Sequence, residues 1–395
     1  MKKGLFRLID ILTLSTFAAA LFGILTLTVL KDKPEYSIFE NRTLAPMPTF
    51  SAQALFDGSY FSAWETWFSD RVAGRGTMLS AYTALQMDVL KKPVVNNIVV
   101  TERSLLPYQT PVAADAEAIC ADAQAMAKRL SALDGHIRAY GGTFLYVGLP
   151  EQRSMLRGDY PPYLADNHEN FDLTEHAFFS ALDTRGVNSI NMRSVFLSEP
   201  DAHEFYSSVD HHFNLAGAVR TYEEIIARLS PALPSLPPAA TIKATVLANP
   251  YYGSRNRMLY NLYPTGERLS IPDIPASIPF ERFDNGAEAA PSLLSLPADT
   301  STPVTYSVYM GGDIAETVIR TNRKELPSLL IFGDSFTNPL ETLLYRNFDE
   351  TRSLDLRHYD KMPLSAYIDA YRPDVVLCVR DDTSYLLFDG NGNFS

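Results

Sequence analysis

The stretch Leu329-Leu330-Ile331-Phe332-Gly333-Asp334-Ser335-Phe336 decides the fold class of this chain. Its apolar run is typical of a buried strand, and the glycine permits a sharp turn into a helix predicted over residues 339–345. In open α/β sheets, ligands bind beyond the carboxyl ends of the strands, so Ser335 would lie in a ligand-binding position near a helix N-terminus. The alternative is an ordinary strand-to-helix turn in which Asp334 or Ser335 caps the helix.

A second motif, Asp210-His211-His212-Phe213, supplies the groups that a serine nucleophile needs. A serine hydroxyl is a weak nucleophile until a base takes its proton, and a third group must orient that base. In an extended segment, residues two apart point the same way, so Asp210 would orient His212 and His211 would point away. We therefore predict a catalytic triad of Ser335, His212 and Asp210.

Two other interpretations of the histidine motif remain open. Two adjacent histidines can simply be exposed to solvent. Aspartate and histidine are also common metal ligands, but no third histidine lies at a recognisable ligand spacing. We predict no metal and no cofactor.

The rest of the chain predicts an α/β fold. Helices and strands alternate, which favours a parallel sheet covered on both faces. Helices are expected over residues 51–69, 77–90, 113–140, 172–182, 214–229, 339–345 and 363–371, and strands over 94–101, 143–148, 187–191, 329–332, 351–356 and 375–379. A strand pair is expected over 306–309 and 316–321.

The N-terminus predicts a membrane anchor. Lys2, Lys3 and Arg7 precede an uncharged run over residues 11–30, which is long enough to span a bilayer. The positive-inside rule places residues 1–10 in the cytoplasm and the large domain outside. A cleaved signal peptide ending near Ala18-Ala19-Ala20 is the alternative. We then expect a helical and linker segment over 31–110 that packs on the body, and an α/β domain over 111–395 with a loop-rich or β insertion at about 238–305.

The composition excludes several classes of protein. The net charge of −12 argues against a nucleic-acid partner. Only Cys120 and Cys378 occur, too few for a disulfide framework or a cysteine-rich zinc site. A single bridge between them is not excluded.

Three further features are candidates for substrate or oxyanion contacts. The glycines of Tyr309-Met310-Gly311-Gly312 could bring backbone N–H groups close to a ligand, although a hairpin turn fits the spacing better. Tyr252 could lie at the rim of a substrate site or in a turn. Arg357 and Arg380 follow predicted strands and could face one cleft, or each could pair with an acid.

The order of these motifs resembles the DHHW family, which is named for an Asp-His-His-Trp motif and is related to the alginate O-acetyltransferase proteins of SGNH-hydrolase fold. The resemblance covers nearly the whole chain, from residue 40 to the final strands. It rests on the segments Glu40-Asn41-Arg42-Thr43-Leu44, Phe205-Tyr206, Asp210-His211-His212-Phe213, Tyr252-Gly253-Ser254, Tyr309-Met310-Gly311-Gly312, Gly333-Asp334-Ser335-Phe336 and Asp355-Leu356-Arg357.

The resemblance implies an SGNH-hydrolase-like, three-layer α/β/α domain with a permuted motif order, because Asp210 and His212 precede Ser335. In this chain Phe213 replaces the tryptophan of the family motif. The Gly-Asn oxyanion blocks of ordinary SGNH enzymes are not evident, and Gly312 is the best substitute. Candidate substrate or oxyanion contacts are Gly311, Gly312, Tyr309, Tyr252, Arg357 and His211.

The implied function is an O-acetyltransferase or acetylesterase that works through an acyl-serine on a cell-surface or exported polysaccharide. Such systems typically use a membrane-bound O-acyltransferase partner, which relays acyl groups across the membrane. Two alternatives stay open. One is a non-catalytic polysaccharide-binding or assembly protein, and the other is a hydrolase that removes acetyl groups.

Overall fold

The computed structural model describes residues 2–30 and 35–394, and the side chains of residues 2–6 and 8 lie outside that description. The side chains of Lys2 and Lys3, two of the charges that precede the predicted span, are therefore not described. The chain forms two compact units, one of residues 1–96 with 257–264 and the other of residues 97–256 with 265–395. The sequence-based boundary was at residue 110.

The first unit is mainly helical. The Glu40–Leu44 segment is tied to its helices by ion pairs of Arg42 with Asp70 at 2.6 Å and of Arg75 with Glu40 at 2.8 Å. Its elements are α1 (Lys2–Leu30), β1 (Tyr36–Ser37), β2 (Arg42–Thr43), α2 (Ala52–Phe56), α3 (Ser59–Arg71), α4 (Arg75–Ala84), which continues as a π-helical turn over Leu85–Val89, and β3 (Val94–Val95).

The second unit carries the α/β pattern. Its elements are β4 (Ile98–Val100), β5 (Leu105–Pro107), α5 (Ala116–Ala139), β6 (Thr143–Leu149), α6 (Gln152–Met155), α7 (His168–Thr184), β7 (Ser189–Asn191), α8 (Met192–Leu197), α9 (Leu215–Leu229), β8 (Ala244–Val246), α10 (Ser254–Met258), β9 (Ser270–Pro272), β10 (Glu281–Asp284), β11 (Ala287–Ala289), β12 (Glu316–Arg320), β13 (Leu329–Gly333), α11 (Thr337–Leu344), β14 (Glu350–Leu354), α12 (Leu364–Tyr371) and β15 (Val375–Asp381).

An eight-stranded sheet organises this unit, in the order β11-β10-β12-β14-β13-β15-β6-β7. The strands from β14 to β7 in that order are parallel, with Phe332 opposite Cys378 and Cys378 opposite Tyr146. These three side chains face one core, which α5, α7 and α12 cover. On the other side α9 packs against α11, and α8 contacts β6. The predicted α/β class, with a largely parallel sheet covered on both faces, is confirmed.

The insertion contributes strands to this sheet. β10 and β11 form a hairpin, and β10 pairs antiparallel with β12 over Glu281↔Arg320 to Asp284↔Thr317. β12 in turn pairs antiparallel with β14. The sheet is therefore mixed at this edge, whereas the sequence predicted a parallel sheet.

Several predicted elements differ from those observed. The predicted strand pair over 306–309 and 316–321 is wrong, because Tyr306–Val308 is a 3₁₀ turn and the second strand pairs elsewhere. The helix predicted over 51–69 is two helices, which separate at Gly58 with φ of +81°. The strand predicted over 94–101 is interrupted by Asn96 and Asn97, both with positive φ.

The two cysteines do not form the bridge that the sequence left open, because Cys120 is exposed and Cys378 is buried as a free thiol. At the N-terminus, residues Ile9–Leu30 have the length and apolar composition of a membrane span, with mean hydropathy 1.9. A signal sequence would also fit those properties.

Candidate active site

Asp210, His212 and Ser335 form one hydrogen-bonded series. His212 Nε2 lies 2.7 Å from Ser335 Oγ, and His212 Nδ1 lies 2.7 Å from Asp210 Oδ1. With the ring proton on Nδ1, the imidazole donates to the carboxylate and accepts from the serine hydroxyl. This is the arrangement that a general base requires.

The turn after β13 positions Ser335. A Cβ on Gly333 would lie 2.0 Å from the Val379 carbonyl oxygen, so only glycine fits here. The Asp334 carboxylate accepts from the N–H groups of Phe336 at 3.0 Å and Asp381 at 2.8 Å. These bonds fix the turn to the end of β15, the neighbouring strand.

The histidines lie in a bend and not in the extended segment that the sequence predicted. A bridge between Tyr206 and Phe213 closes the bend, and Asn214 then caps α9 by accepting from Ala216 and Gly217, as predicted. The bend still brings His212 to Asp210.

Asp210 is buried and held from a second direction. Its Oδ2 accepts from the Ser254 N–H at 2.6 Å. Burial acts to raise the pKa of the Asp210 carboxyl, but the two histidines and this N–H hold it well below its ordinary value. The loop can deliver the N–H because Gly253 packs against the Val209 carbonyl oxygen, 2.4 Å from where a Cβ would lie.

His211 does not point away, and this expectation is corrected. Its ring centroid lies 3.7 Å from that of His212, and its Nδ1 lies 2.8 Å from Ser254 Oγ. Burial and the neighbouring His212 lower the pKa of His211 to about 3, so its imidazole is neutral at physiological pH.

Two further aromatic rings, those of Tyr306 and Phe336, pack against His212. Tyr306 stacks on it at 3.7 Å with an interplanar angle of 3°, and Phe336 lies at 4.9 Å. Tyr306 is buried, and its ring restricts the imidazole to the plane that joins Asp210 and Ser335.

Of two backbone groups that could act as oxyanion donors, the Ser335 N–H and the predicted Gly312 N–H, only the first has no partner among the described residues. Within residues 35–394, no acceptor pairs with the Ser335 N–H, which lies two residues before α11. The Gly312 N–H, in contrast, donates to the Tyr309 carbonyl at 3.1 Å, and Gly311 is exposed. The Gly312 N–H is therefore used within the turn and is not available to bind an oxyanion.

The remaining predicted contacts have structural partners. Tyr309 is fully buried, and its hydroxyl donates to the Ser270 carbonyl. Arg357 pairs with Asp355 at 2.6 Å and Asp313 at 2.8 Å. Arg380 is buried and donates to the Leu387 carbonyl at 2.9 Å, so the two arginines do not share a cleft as free cations.

Tyr252 is half-buried, and its N–H donates to the Val304 carbonyl at 2.8 Å. It therefore belongs to the loop that precedes Gly253. Asp210, His211 and His212 also bring potential metal-ligand atoms within 4.8 Å of one another. Both ring nitrogens of His212 are engaged with Asp210 and Ser335, so the geometry fits the hydrogen-bonded series better than a chelate.

Ser254 and Tyr306 contribute to this site but were not predicted as site residues. Ser254 belongs to the Tyr252-Gly253-Ser254 segment on which the family resemblance partly rests. The close approach of Gly253 to the Val209 carbonyl oxygen explains why that segment needs a glycine. Nothing in the sequence distinguishes Tyr306, because an aromatic residue that stacks on a catalytic group cannot be told from an aromatic core residue by sequence alone.

The largely parallel sheet and the serine at a strand end are features expected of an SGNH-hydrolase-like domain. A family model described as the SGNH hydrolase-like domain of the acetyltransferase AlgX matches residues 109–295, and a DHHW protein model matches residues 40–102. The resemblance predicted from sequence is thereby confirmed. The AlgX match includes Asp210 and His212 and ends before Ser335. No curated protein matches the chain.

Solved structures show the same fold. Bacillus cereus PatB1 superposes with a TM-score of 0.62 and 22% identity, covering 75% of this chain and 99% of that one. PatB1 with a sulfonyl adduct gives 0.61 and 21%, with coverage of 75% and 97%. A DHHW family protein from Eubacterium siraeum DSM 15702 gives 0.51 and 16%, with coverage of 74% and 93%.

Proposed function

We propose that this chain is an extracytoplasmic O-acetyltransferase or acetylesterase that acts on a cell-surface or exported polysaccharide through an acyl-serine. The observation that carries the proposal is the pair of 2.7 Å contacts that His212 makes with Ser335 and Asp210. The acetyltransferase description of the matching family model supports the choice of acyl group.

In the first half-reaction, Ser335 Oγ attacks the acyl carbonyl while its proton moves to His212 Nε2. Asp210 stabilises the imidazolium that forms, since its carboxylate is ionised and hydrogen-bonded to Nδ1. The proton then passes to the departing oxygen of the donor. The Ser335 N–H is available for the developing oxyanion.

In the second half-reaction, His212 takes the proton of an acceptor hydroxyl, and that oxygen attacks the acyl-serine. The bond between the acyl carbon and Ser335 Oγ then breaks, and His212 Nε2 returns the proton to Ser335 Oγ. A sugar hydroxyl gives transfer and water gives hydrolysis. The two outcomes share every residue named above, so the direction depends on which acceptor the neighbouring surface binds.

The proposed location follows from the N-terminal helix. A single-pass anchor at residues 11–30 would place the α/β unit outside the cytoplasm, where a membrane-bound O-acyltransferase could supply acyl groups. Alkaline carbonate extraction of membranes tests the anchor: we expect the intact chain to stay in the pellet. A mature N-terminus beginning near residue 21 would show signal-peptide cleavage instead.

The proposed nucleophile is tested by Ser335→Ala. We expect hydrolysis of 4-nitrophenyl acetate to fall by about a thousandfold or more, because the proposed acyl-enzyme forms on Ser335 Oγ, which the substitution removes. Ser235→Ala, at an exposed serine, is the matched control and should keep full activity. Activity of Ser335→Ala near that of the unaltered chain would reject the assignment.

A second candidate is a non-catalytic polysaccharide-binding or assembly protein. The observation in its favour is the Gly312 N–H, which is engaged with Tyr309 and leaves the oxyanion with a single backbone donor among those predicted. A fluorophosphonate separates the two candidates, because an activated Ser335 reacts with it and a binding protein does not.

A further inference from the structure

We infer that a cavity of roughly 590 Å³ beside the proposed triad is an acceptor subsite for an uncharged sugar residue. We call it the side cavity; it is lined by residues that follow β6 and β15 and by residues of α7. The inference rests on the proposed function, because an acceptor is needed only if an acyl group is transferred.

The side cavity lies at the same sheet edge as Ser335. Glu151 follows β6, Asp382 follows β15, and Ser335 follows β13, and these parallel strands are neighbours in the order β13-β15-β6. Neighbouring strands are about 4.8 Å apart, so the end of β6 is about 10 Å from the end of β13. An oligosaccharide could occupy the cavity and present a hydroxyl of the next sugar to Ser335.

Direct contacts join the two sites. Asp381, which precedes the cavity residue Asp382, donates its N–H to Asp334 at 2.8 Å, and Asp334 precedes Ser335. On the other side Gln152, which follows the cavity residue Glu151, donates its N–H to the His211 carbonyl at 3.1 Å. On each wall, two residues therefore separate the side cavity from the triad: Asp381 with Asp334 on one, and Gln152 with His211 on the other.

The lining has the mixed character that suits a sugar ring. Apolar surface comes from Pro107, Phe171, Leu386 and Leu387, and neutral polar groups come from Asn170, Thr174 and Thr383. The Asn170 amide donates to the Val112 carbonyl at 2.7 Å. Among the described residues, nothing pairs with Asn170 Oδ1 or with the Thr174 hydroxyl, so both can bond to sugar hydroxyls.

The charges in the side cavity disfavour an anionic sugar. Arg153 is its one cation among the described lining residues, and its guanidinium is engaged by Glu151 and by Asp382 at 3.0 Å while lying 4.0 Å from the Phe171 ring. Although burial acts to raise it, Arg153 and Arg255 hold the pKa of Glu151 at about 2. A uronate carboxylate would thus meet carboxylates and no free cation.

Isothermal titration of the purified full-length chain tests the subsite without requiring turnover. The probes are tetramers of glucose, mannose, galactose and N-acetylglucosamine, with tetramannuronate as the anionic comparison. We expect at least one uncharged tetramer to bind about tenfold or more tightly than tetramannuronate, because the anion would be left unpaired.

Two substitutions localise the binding. Thr174→Trp fills the cavity and should weaken binding of the uncharged tetramer by about tenfold, whereas His176→Trp, exposed on the same helix, should leave it unchanged. Thr174→Val removes only the hydroxyl and should weaken binding by about threefold, which keeps the test valid if the tryptophan variant does not fold.

Each outcome decides the inference. Binding of no uncharged tetramer, equal or tighter binding of tetramannuronate, or binding unaffected by both Thr174 variants would overturn it. Hydrolysis of 4-nitrophenyl acetate is measured in parallel and should agree within about twofold between the unaltered chain and His176→Trp, since the exposed His176 lines neither the side cavity nor the triad. Its absence in the unaltered chain would count against the proposed function and not against the subsite.

Discussion

His211 and His212 are adjacent in the chain but have different chemical surroundings. His212 joins Asp210 to Ser335, while His211 pairs with Ser254 Oγ and stacks on His212. A second cation at 3.7 Å from the proposed imidazolium would oppose its formation. The lowered pKa of His211 keeps that position neutral, which makes the pair compatible with a single proton on His212.

The neutrality of His211 predicts a pH profile. Burial and His212 lower its pKa to about 3, below the ordinary value of 6.5, so the folded state excludes a proton that the unfolded chain binds below pH 6.5. Between pH 5 and 9 the folded His211 does not titrate. We expect His211→Asn to keep the shape of the kcat/KM profile for 4-nitrophenyl acetate over this range.

The control for this profile is His176→Asn, at an exposed histidine. Loss of one limb of the profile in His211→Asn, with the control unchanged, would show that His211 itself carries the titrating proton. The same linkage has a stability consequence whose sign is fixed: acidification below pH 6.5 destabilises the folded chain through His211. Its side chain is 35% exposed, so screening keeps this effect small.

At the residue scale, the sequence was sufficient to propose Asp210, His212 and Ser335, because their side-chain chemistry is specific. It could not predict the role of Ser254, whose contribution to Asp210 is a backbone N–H that every residue except proline possesses. Nor could it exclude Gly312 and Tyr309, because backbone pairing and hydroxyl partners depend on the folded turn.

At the scale of elements, two loops meet behind the proposed base. The bend that carries Asp210 and the loop before α10 pack through the Val209 carbonyl and Gly253. Because this contact leaves no room for a Cβ, the distance between the loops is set by the absence of a side chain. The Ser254 N–H depends on that distance to reach Asp210 at 2.6 Å.

Gly253→Ala should therefore impair catalysis through position alone. The added Cβ would lie 2.4 Å from the Val209 oxygen and push the Ser254 N–H away from Asp210. We expect kcat to fall by about a hundredfold, as a displacement of about 1 Å can cause. Gly266→Ala is the matched control, because no atom lies within 4 Å of its Cβ position. Equal activity of the two variants would show that the loop contact does not position Asp210.

Element prediction succeeded where local pattern and tertiary packing agreed. α5 has an apolar stripe and α9 has its Asn214 cap, and both formed close to their predicted bounds. The strand predicted over 306–309 failed because the next residues, Met310, Gly311 and Gly312, have positive φ. The apolar residues of that segment are buried, and Tyr306 stacks on His212, but the segment does not form a strand.

At the scale of the whole molecule, the sheet brings together motifs that are far apart in sequence. Asp210 and His212 precede Ser335 by more than a hundred residues, and the permuted order still yields one site at the carboxyl end of β13. Apolar runs in the sequence predicted the central strands. They could not predict the mixed edge, because the antiparallel addition of β10, β11 and β12 depends on pairing partners that no local pattern encodes.

The proposed function depends on an acyl group that is carried by Ser335. The most direct measurement is mass spectrometry of the digested chain after brief reaction with 4-nitrophenyl acetate and an acid quench. We predict one acetyl group on the peptide that contains Ser335, and none on that peptide in Ser335→Ala. An acetyl group confined to another residue, or turnover that continues in Ser335→Ala, would contradict the proposed role of Ser335.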